Sequence, residues 1–327
     1  MTGVERLQHV LDVPAADGGL VRVAVQVVLP AAERLAASPT VFFCHPGGGM
    51  SKRYFDLGDD DDRRFSFAEA MALRGWITVA VDPPGIGENE PIEDGYRVGP
   101  DFLTIAFEGV VHAMQRELRA GFAGRAGLDS FVSIGVGHSM GSMVMVSVQA
   151  RSSPFDAVIV MGAGPYGLAK HLPPILQDLA GHPERARAEI VGRMREAGLP
   201  PYVQMRASEQ SRAMLGVGDP DGRVAIRAAR TTLVAVSGFF VMIPQSWAPE
   251  AAALSVPLML AFGDADICAE PRGVPIWFTG TDHITLVVLP ETGHNHFAHA
   301  SIDALTRRIG AWVPSLFDGA GAPPAAH

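Results

Sequence analysis

Short, largely apolar runs recur along the chain, and they constrain its fold more than any other feature. They are Thr40 to Cys44, Ile77 to Val81, Phe131 to Val136, Ala157 to Met161, Leu258 to Phe262 and Ile284 to Leu289. A run this short and rich in Val and Ile reads as a strand, and one without alternation is buried on both faces. Helical spacing fills the intervals. Leu103, Phe107, Val110, Val111, Met114 and Leu118 mark one stripe between Phe102 and Leu118, Met140 to Ala150 can form a helix, and Ile302 to Trp312 closes the chain. Alternation of this kind predicts an α/β fold, with a mostly parallel central sheet flanked by helices on both faces. An N-terminal hairpin precedes it, pairing Gln8 to Val13 with Leu20 to Leu29 through Asp17-Gly18-Gly19. In such sheets functional groups gather at the carboxyl ends of the strands.

The rhythm breaks between about Tyr166 and Leu254. Pro183 starts a helix there and Gly198 stops it. A second helix is expected from Gly222 to about Val236, with Arg223, Arg227 and Arg230 as a solvated stripe. No strong strand is legible, so the stretch reads as a helical insertion between two sheet strands.

Composition narrows the function. The 327 residues carry 26 basic and 35 acidic side chains, a net charge of −9, which disfavours nucleic acid and anionic membranes as partners. Hydrophobic residues make up 48% of the chain, enough for a sizeable core. Cys44 and Cys268 cannot build a disulfide framework or a four-cysteine metal site, and both are expected as reduced, buried thiols. No metal site is expected. The N-terminal residues MTGVERLQHVLDVP lack an apolar h-region, so a cytoplasmic location is expected. Ser130 to Ala150 and Thr231 to Pro249 are free of charge, but their glycines and Pro244 suit buried core better than a bilayer span. Asp59 to Asp62 reads as a solvated loop, and the tail Gly319 to His327 as disordered.

Chemistry concentrates at the strand ends. Gly137-His138-Ser139-Met140-Gly141 fits G-x-S-x-G between a strand and a helix, the context of a nucleophile elbow. The flanking glycines let strand and helix approach, and the helix N-terminus puts partial positive charge near Ser139. A dinucleotide fingerprint competes, since Gly162-Ala163-Gly164-Pro165-Tyr166-Gly167 matches G-x-G-x-x-G. Gly135, Gly137 and Gly141 spell a G-x-G-x-x-x-G variant as well, but the strand after it, Ala157 to Met161, ends in Gly162 and Ala163 with no carboxylate for the ribose, and after Gly167 the chain runs Leu168 to Pro174 without a clean helix, so the nucleotide reading fails. A serine hydroxyl needs a base. His294 follows the last strand directly, with His296 in reserve. The base needs a carboxylate to fix its tautomer, and Asp266 in Gly263-Asp264-Ala265-Asp266 is the choice, with Asp264 as the alternative. Oxyanion donors are expected from Gly47 and Gly48 in His45-Pro46-Gly47-Gly48-Gly49 and from the N–H of Met140, since Pro46 has no N–H to give.

With the elbow, HPGGG (His45 to Gly49), DPPGIGEN (Asp82 to Asn89), GDAD (Gly263 to Asp266) and GHNH (Gly293 to His296) in view, the chain resembles the α/β-hydrolase superfamily over nearly its whole length. The resemblance implies a cofactor-free hydrolase of ester or lactone bonds, a structural loop at Asp82 to Asn89 and a cap at the insertion. Its implied organisation is a core over residues 1–165 and 255–318, a helical cap over 166–254 and a disordered tail over 319–327. HPGGG departs from the commoner H-G forms at Pro46. Ser139 at the elbow disfavours the epoxide and halide chemistry of relatives that carry Asp there. The partner expected is an apolar small-molecule substrate, touched by His138, Tyr166, Phe239, Phe240 and Trp247, with Tyr202 and Met242 also in the cap. A C–C bond hydrolase, a lyase or a cofactor-free peroxidase on the same triad, and a non-catalytic receptor of the same fold, are the alternatives.

Overall fold

The computed structural model describes residues 3–59, 62–204, 218–268 and 270–317. The expected tail, Asp60 and Asp61 of the acidic run and residues 205–217 of the insertion lie outside them. Strands β1 (Glu5–Pro14) and β2 (Leu20–Leu29) pair antiparallel, and β2 pairs antiparallel with β4 (Ile77–Val81). The remaining strands, β3 (Thr40–His45), β5 (Val132–His138), β6 (Ala157–Met161), β9 (Leu258–Gly263) and β10 (Ile284–Leu289), run parallel. The eight-stranded order is β1-β2-β4-β3-β5-β6-β9-β10. Every residue of β3, β4, β5, β6 and β9 is buried, as unbroken apolar runs require. Alternate side chains feed opposite cores. Val41 and Phe43 pack on one face, Phe42 and Cys44 on the other.

Helices α1 (Phe67–Ala72) and α9 (Ile302–Leu316) cover the second face, α2 (Pro100–Ala120) and α3 (Met140–Ser152) the first. All the stripe residues read in α2, from Leu103 to Leu118, are buried. Ser66 caps α1, accepting the Glu69 N–H at 2.8 Å. Helix α3 is buried from Met140 through Gln149, wedged between the sheet and other helices, which explains its lack of a polar face. Cys44 and Cys268 are free and buried. Among the described residues no helix is long and apolar enough to cross a membrane.

The chain between β6 and β9 departs from its reading. Helices α4 (Pro174–Gln177) and α5 (Pro183–Glu196) come first, the latter as expected. The long helix expected from Gly222 is broken instead. Helix α6 (Pro220–Ala225) gives way to a 3-10 turn, Ile226–Ala229, and then to strand β8 (Thr232–Val234). That strand pairs with β7 (Tyr202–Gln204), so a two-stranded ribbon exists where none was legible. The physical cause is tertiary. Ser51 N–H donates to Ala229 O and Thr231 N–H to Gly49 O, each at 2.8 Å, and Met50 bridges Arg230. Extended pairing to the His45–Gly49 loop outweighs helical propensity at adjacent β-branched threonines. Helices α7 (Ala235–Met242) and α8 (Ala248–Ala253) then return the chain to the sheet.

Candidate active site

Strand β5 turns into α3 with no intervening loop, leaving Ser139 at the corner with φ 52° and ψ −119°. A left-handed φ at a non-glycine residue costs on the order of 1–3 kcal/mol and persists only where surroundings impose it. Here they do. Ser139 N–H donates to Met161 O at 2.7 Å, Ser142 N–H donates to Ser139 O at 2.9 Å, and Ser142 Oγ donates to Gly137 O at 2.8 Å. The two glycines of the motif are steric necessities. A Cβ on Gly137 would lie 2.4 Å from Gly141 O, and one on Gly141 only 2.1 Å from His45 O.

Asp266 follows β9 and His294 follows β10. His294 Nδ1 lies 2.7 Å from Asp266 Oδ1, with both side chains buried. A carboxylate only accepts, so Nδ1 carries the proton and Nε2 presents its lone pair. That Nε2 has no partner among the described residues. Burial alone would raise the Asp266 carboxyl, but the His294 and His296 contacts overrule it and hold the group well below the usual carboxylate range. The Cys268 N–H adds a 3.1 Å bond to Oδ1. Asp264, the alternative carboxylate, does not bond His294 and caps the local turn instead. Its carboxylate accepts the Glu291 and Thr292 N–H groups at 3.0 Å each, pinning the start of the loop that carries His294.

Ser139 and His294 open into one cavity of about 320 Å³. Gly48, Met140, Gly162 and Ala163 line its sheet side; Leu168, Val203, Leu233, Phe239 and Met242 line the other. No described backbone carbonyl takes the N–H of Gly48 or of Met140. Gly47 lies deeper, where a Cβ would stand 2.7 Å from His138 Nδ1 and 3.0 Å from Ser139 Cβ.

Several expected substrate contacts are placed elsewhere. Trp247 and Phe240 are fully buried, Trp247 against Phe278 and Phe240 under the Arg187 guanidinium at 5.2 Å. Their bulk is spent on packing, as is common for large apolar side chains. His138 is also buried. Its Nε2–H donates to His294 O at 2.8 Å, and its ring packs 4.5 Å from that of Tyr54. Burial, then the neighbouring His294 and His296, hold its imidazole well below the usual histidine range, so it is neutral. Tyr166 is half-buried outside the cavity wall, and Tyr202 bonds the Ile92 backbone through its hydroxyl. Phe239 alone of the five expected contacts lines the cavity, and Met242 joins it.

Three features had no clear signal in the sequence. Leu233 of β8 reaches over the glycine loop, its Cδ1 standing 2.4 Å from where a Gly48 Cβ would be. Gly162, dismissed with the nucleotide fingerprint, backs the aspartate–histidine pair at φ 64°. A Cβ there would stand 3.1 Å from the His294 ring and 3.2 Å from Asp266 Oδ2. His296, the reserve base, is turned from the cavity and bonds Asp266 from behind.

In the loop Asp82 to Asn89, the buried Asp82 carboxylate accepts the Lys52 ammonium and the Lys52 and Glu88 N–H groups. Asn89 ties the loop to Ala24 and Pro83. Those are structural bonds.

Comparison with known proteins agrees with this architecture. Solved structures similar in fold include a thermophilic esterase from Thermogutta terrifontis, with TM-score 0.60 at 13% identity over 95% of this chain and 99% of that one. A bromoperoxidase from Bacillus anthracis gives 0.59 at 12% over 94% and 99%, and the esterase RhEst1 from Rhodococcus 0.56 at 15% over 94% and 99%. At such identities the likeness speaks for the fold alone. No curated protein sequence matches. The model of the alpha/beta hydrolase family matches residues 41–307, which span β3 to α9 and all the motifs above, and the chain belongs to that family.

Proposed function

We propose that the chain is a serine hydrolase that cleaves carboxylic ester or lactone bonds of an apolar small molecule through an acyl-enzyme. One observation carries the reading. A strained serine at a strand–helix corner and a histidine with an unpartnered Nε2 open into the same apolar cavity, and that histidine is held from behind by a carboxylate.

The chemistry follows from those positions. Ser139 Oγ attacks the substrate carbonyl as His294 Nε2 takes its proton. The Asp266 anion stabilises the imidazolium that forms. The N–H groups of Gly48 and Met140, with Gly47 beneath, face the developing oxyanion, where fixed donors count most. His294 then returns the proton to the leaving oxygen, and water, activated by the same imidazole, releases the acid. Residues 166–254 serve as the cap. Leu168, Val203, Leu233, Phe239 and Met242 of this stretch supply the apolar wall that excludes water and selects the substrate.

The test is a p-nitrophenyl ester series with the wild type and Ser139→Ala. Turnover of apolar esters that disappears in the variant supports the reading. Tight ligand binding without turnover would make the chain a receptor.

A further inference from the structure

Asp266 carries two histidines. His294 Nδ1 takes one carboxylate oxygen at 2.7 Å, and His296 Nε2 takes the other at 2.8 Å. All three side chains are buried, with Asp266 and His296 at 0% side-chain exposure. The base and the reserve candidate are therefore not competitors. Only His294 reaches the cavity. We propose that His296 is a positioning residue that holds the Asp266 carboxylate in register for His294 and weakens its pull on the His294 proton. The inference rests on the hydrolase reading for its kinetics, though not for its geometry.

The bond's direction is fixed. An ionised carboxylate only accepts, so His296 Nε2 donates, and its Nδ1 has no partner among the described residues. Oδ1 has the Cys268 N–H as a second donor, whereas Oδ2 accepts from His296. Gly162 closes the space beside Oδ2, since a Cβ would stand 3.2 Å away. A buried carboxylate oxygen without a donor is costly, and a charge-assisted bond is worth more than a neutral one. His296 thus satisfies an oxygen that would otherwise be free to rotate the carboxylate off His294.

It also sets the carboxylate's basicity. A donor on Oδ2 draws charge from Oδ1 and weakens the Oδ1–His294 bond to the imidazolium. The other titratable groups around His296 are His138, its ring 5.6 Å away at the end of β5, then Tyr54 and His299, with Cys268 on the Asp266 side of the pair. Burial keeps the Tyr54 and Cys268 protons on, and leaves His138 and His299 neutral near pH 7. None of them offers Asp266 a compensating charge.

The test uses His296→Leu, which removes the donor at similar volume, and His296→Gln, which can return an N–H. In the folded wild type, two strongly downfield imidazole N–H protons are expected by NMR. His296→Leu should lose one and move the other further downfield. On the same protein the acid limb of the kcat/KM profile should move up by about one pH unit, and kcat should fall about 10- to 100-fold, with His296→Gln recovering most of both. Unchanged limb and kcat in a folded His296→Leu would make His296 mere packing and overturn the inference. A single downfield proton in the wild type would overturn it even if neither variant folds. Should the wild type cleave no ester, the hydrolase reading falls, while the two N–H protons still decide this one.

Discussion

Phe239 and Leu233 on the cavity wall, and Phe240 and Trp247 in the packed interior, make a four-variant test of how the insertion acts. The cavity holds about 320 Å³, with Phe239 and Leu233 on its walls. Leu233 also crowds Gly48 and Gly238, where Cβ atoms would meet its Cδ1 at 2.4 and 2.7 Å. Truncating either to Ala opens space beside Ser139. One methylene in an apolar pocket is worth about 1–3 kcal/mol of discrimination, roughly 10- to 200-fold in relative kcat/KM. Leu233→Ala and Phe239→Ala should therefore shift the ester chain-length profile towards longer or branched groups. Both residues are only half-buried, so their stability loss should be small. Phe240 and Trp247 are at 0% exposure. Their truncation should cost about 3–5 kcal/mol, with the profile of the surviving folded enzyme unchanged. The assay pairs kcat/KM across p-nitrophenyl esters of increasing acyl length with melting temperatures for all four variants. The reasoning is refuted if Phe240→Ala or Trp247→Ala changes the profile as strongly as Phe239→Ala. It is equally refuted if neither wall variant changes the profile.

Other expectations follow from single contacts. Asp266→Asn should cut kcat by about 10⁴ because it favours the wrong His294 tautomer, whereas Asp264→Asn should lower the melting temperature more than the rate; steady-state kinetics on both variants separates them. Gly141→Ala, which forces a Cβ to 2.1 Å from His45 O, should displace the serine corner and lose at least about 100-fold in kcat/KM, and wild-type kinetics would show that the corner tolerates it. His45 is buried and its imidazole is lowered by burial from 6.5 to about 4. The unfolded chain then binds one more proton than the folded one between those values, so stability falls as pH drops from 6.5 towards 4, by on the order of 3 kcal/mol in total for this group. Urea unfolding from pH 7 to 4.5 should show a slope shallower by about one proton in His45→Gln.

The inner strands β3, β4, β5, β6 and β9 were legible because they are buried on both faces, so composition alone marks them, whereas β10, read the same way, is an edge strand and only half-buried. The serine corner was legible because Gly137 and Gly141 have no steric alternative. The insertion was less so. A helix continued through Arg230 satisfies local propensity, and only the partnered carbonyls of Gly49 and Ala229 explain why the chain extends there instead. Phe240 and Trp247 resembled Phe239 in sequence, and nothing local says which of three bulky rings faces a cavity. His296 was read as an alternative to His294 because spacing along the chain does not reveal that both can reach one carboxylate from opposite sides.

The most direct test of the account is active-site labelling. The wild type is treated with a fluorophosphonate probe and mapped by peptide mass spectrometry, with His294→Ala alongside. The account predicts one phosphonylated residue, Ser139, in the wild type, and labelling at least about 100-fold slower in His294→Ala. A wild type that is folded and stays unlabelled, or that is labelled at a serine other than Ser139, would contradict it.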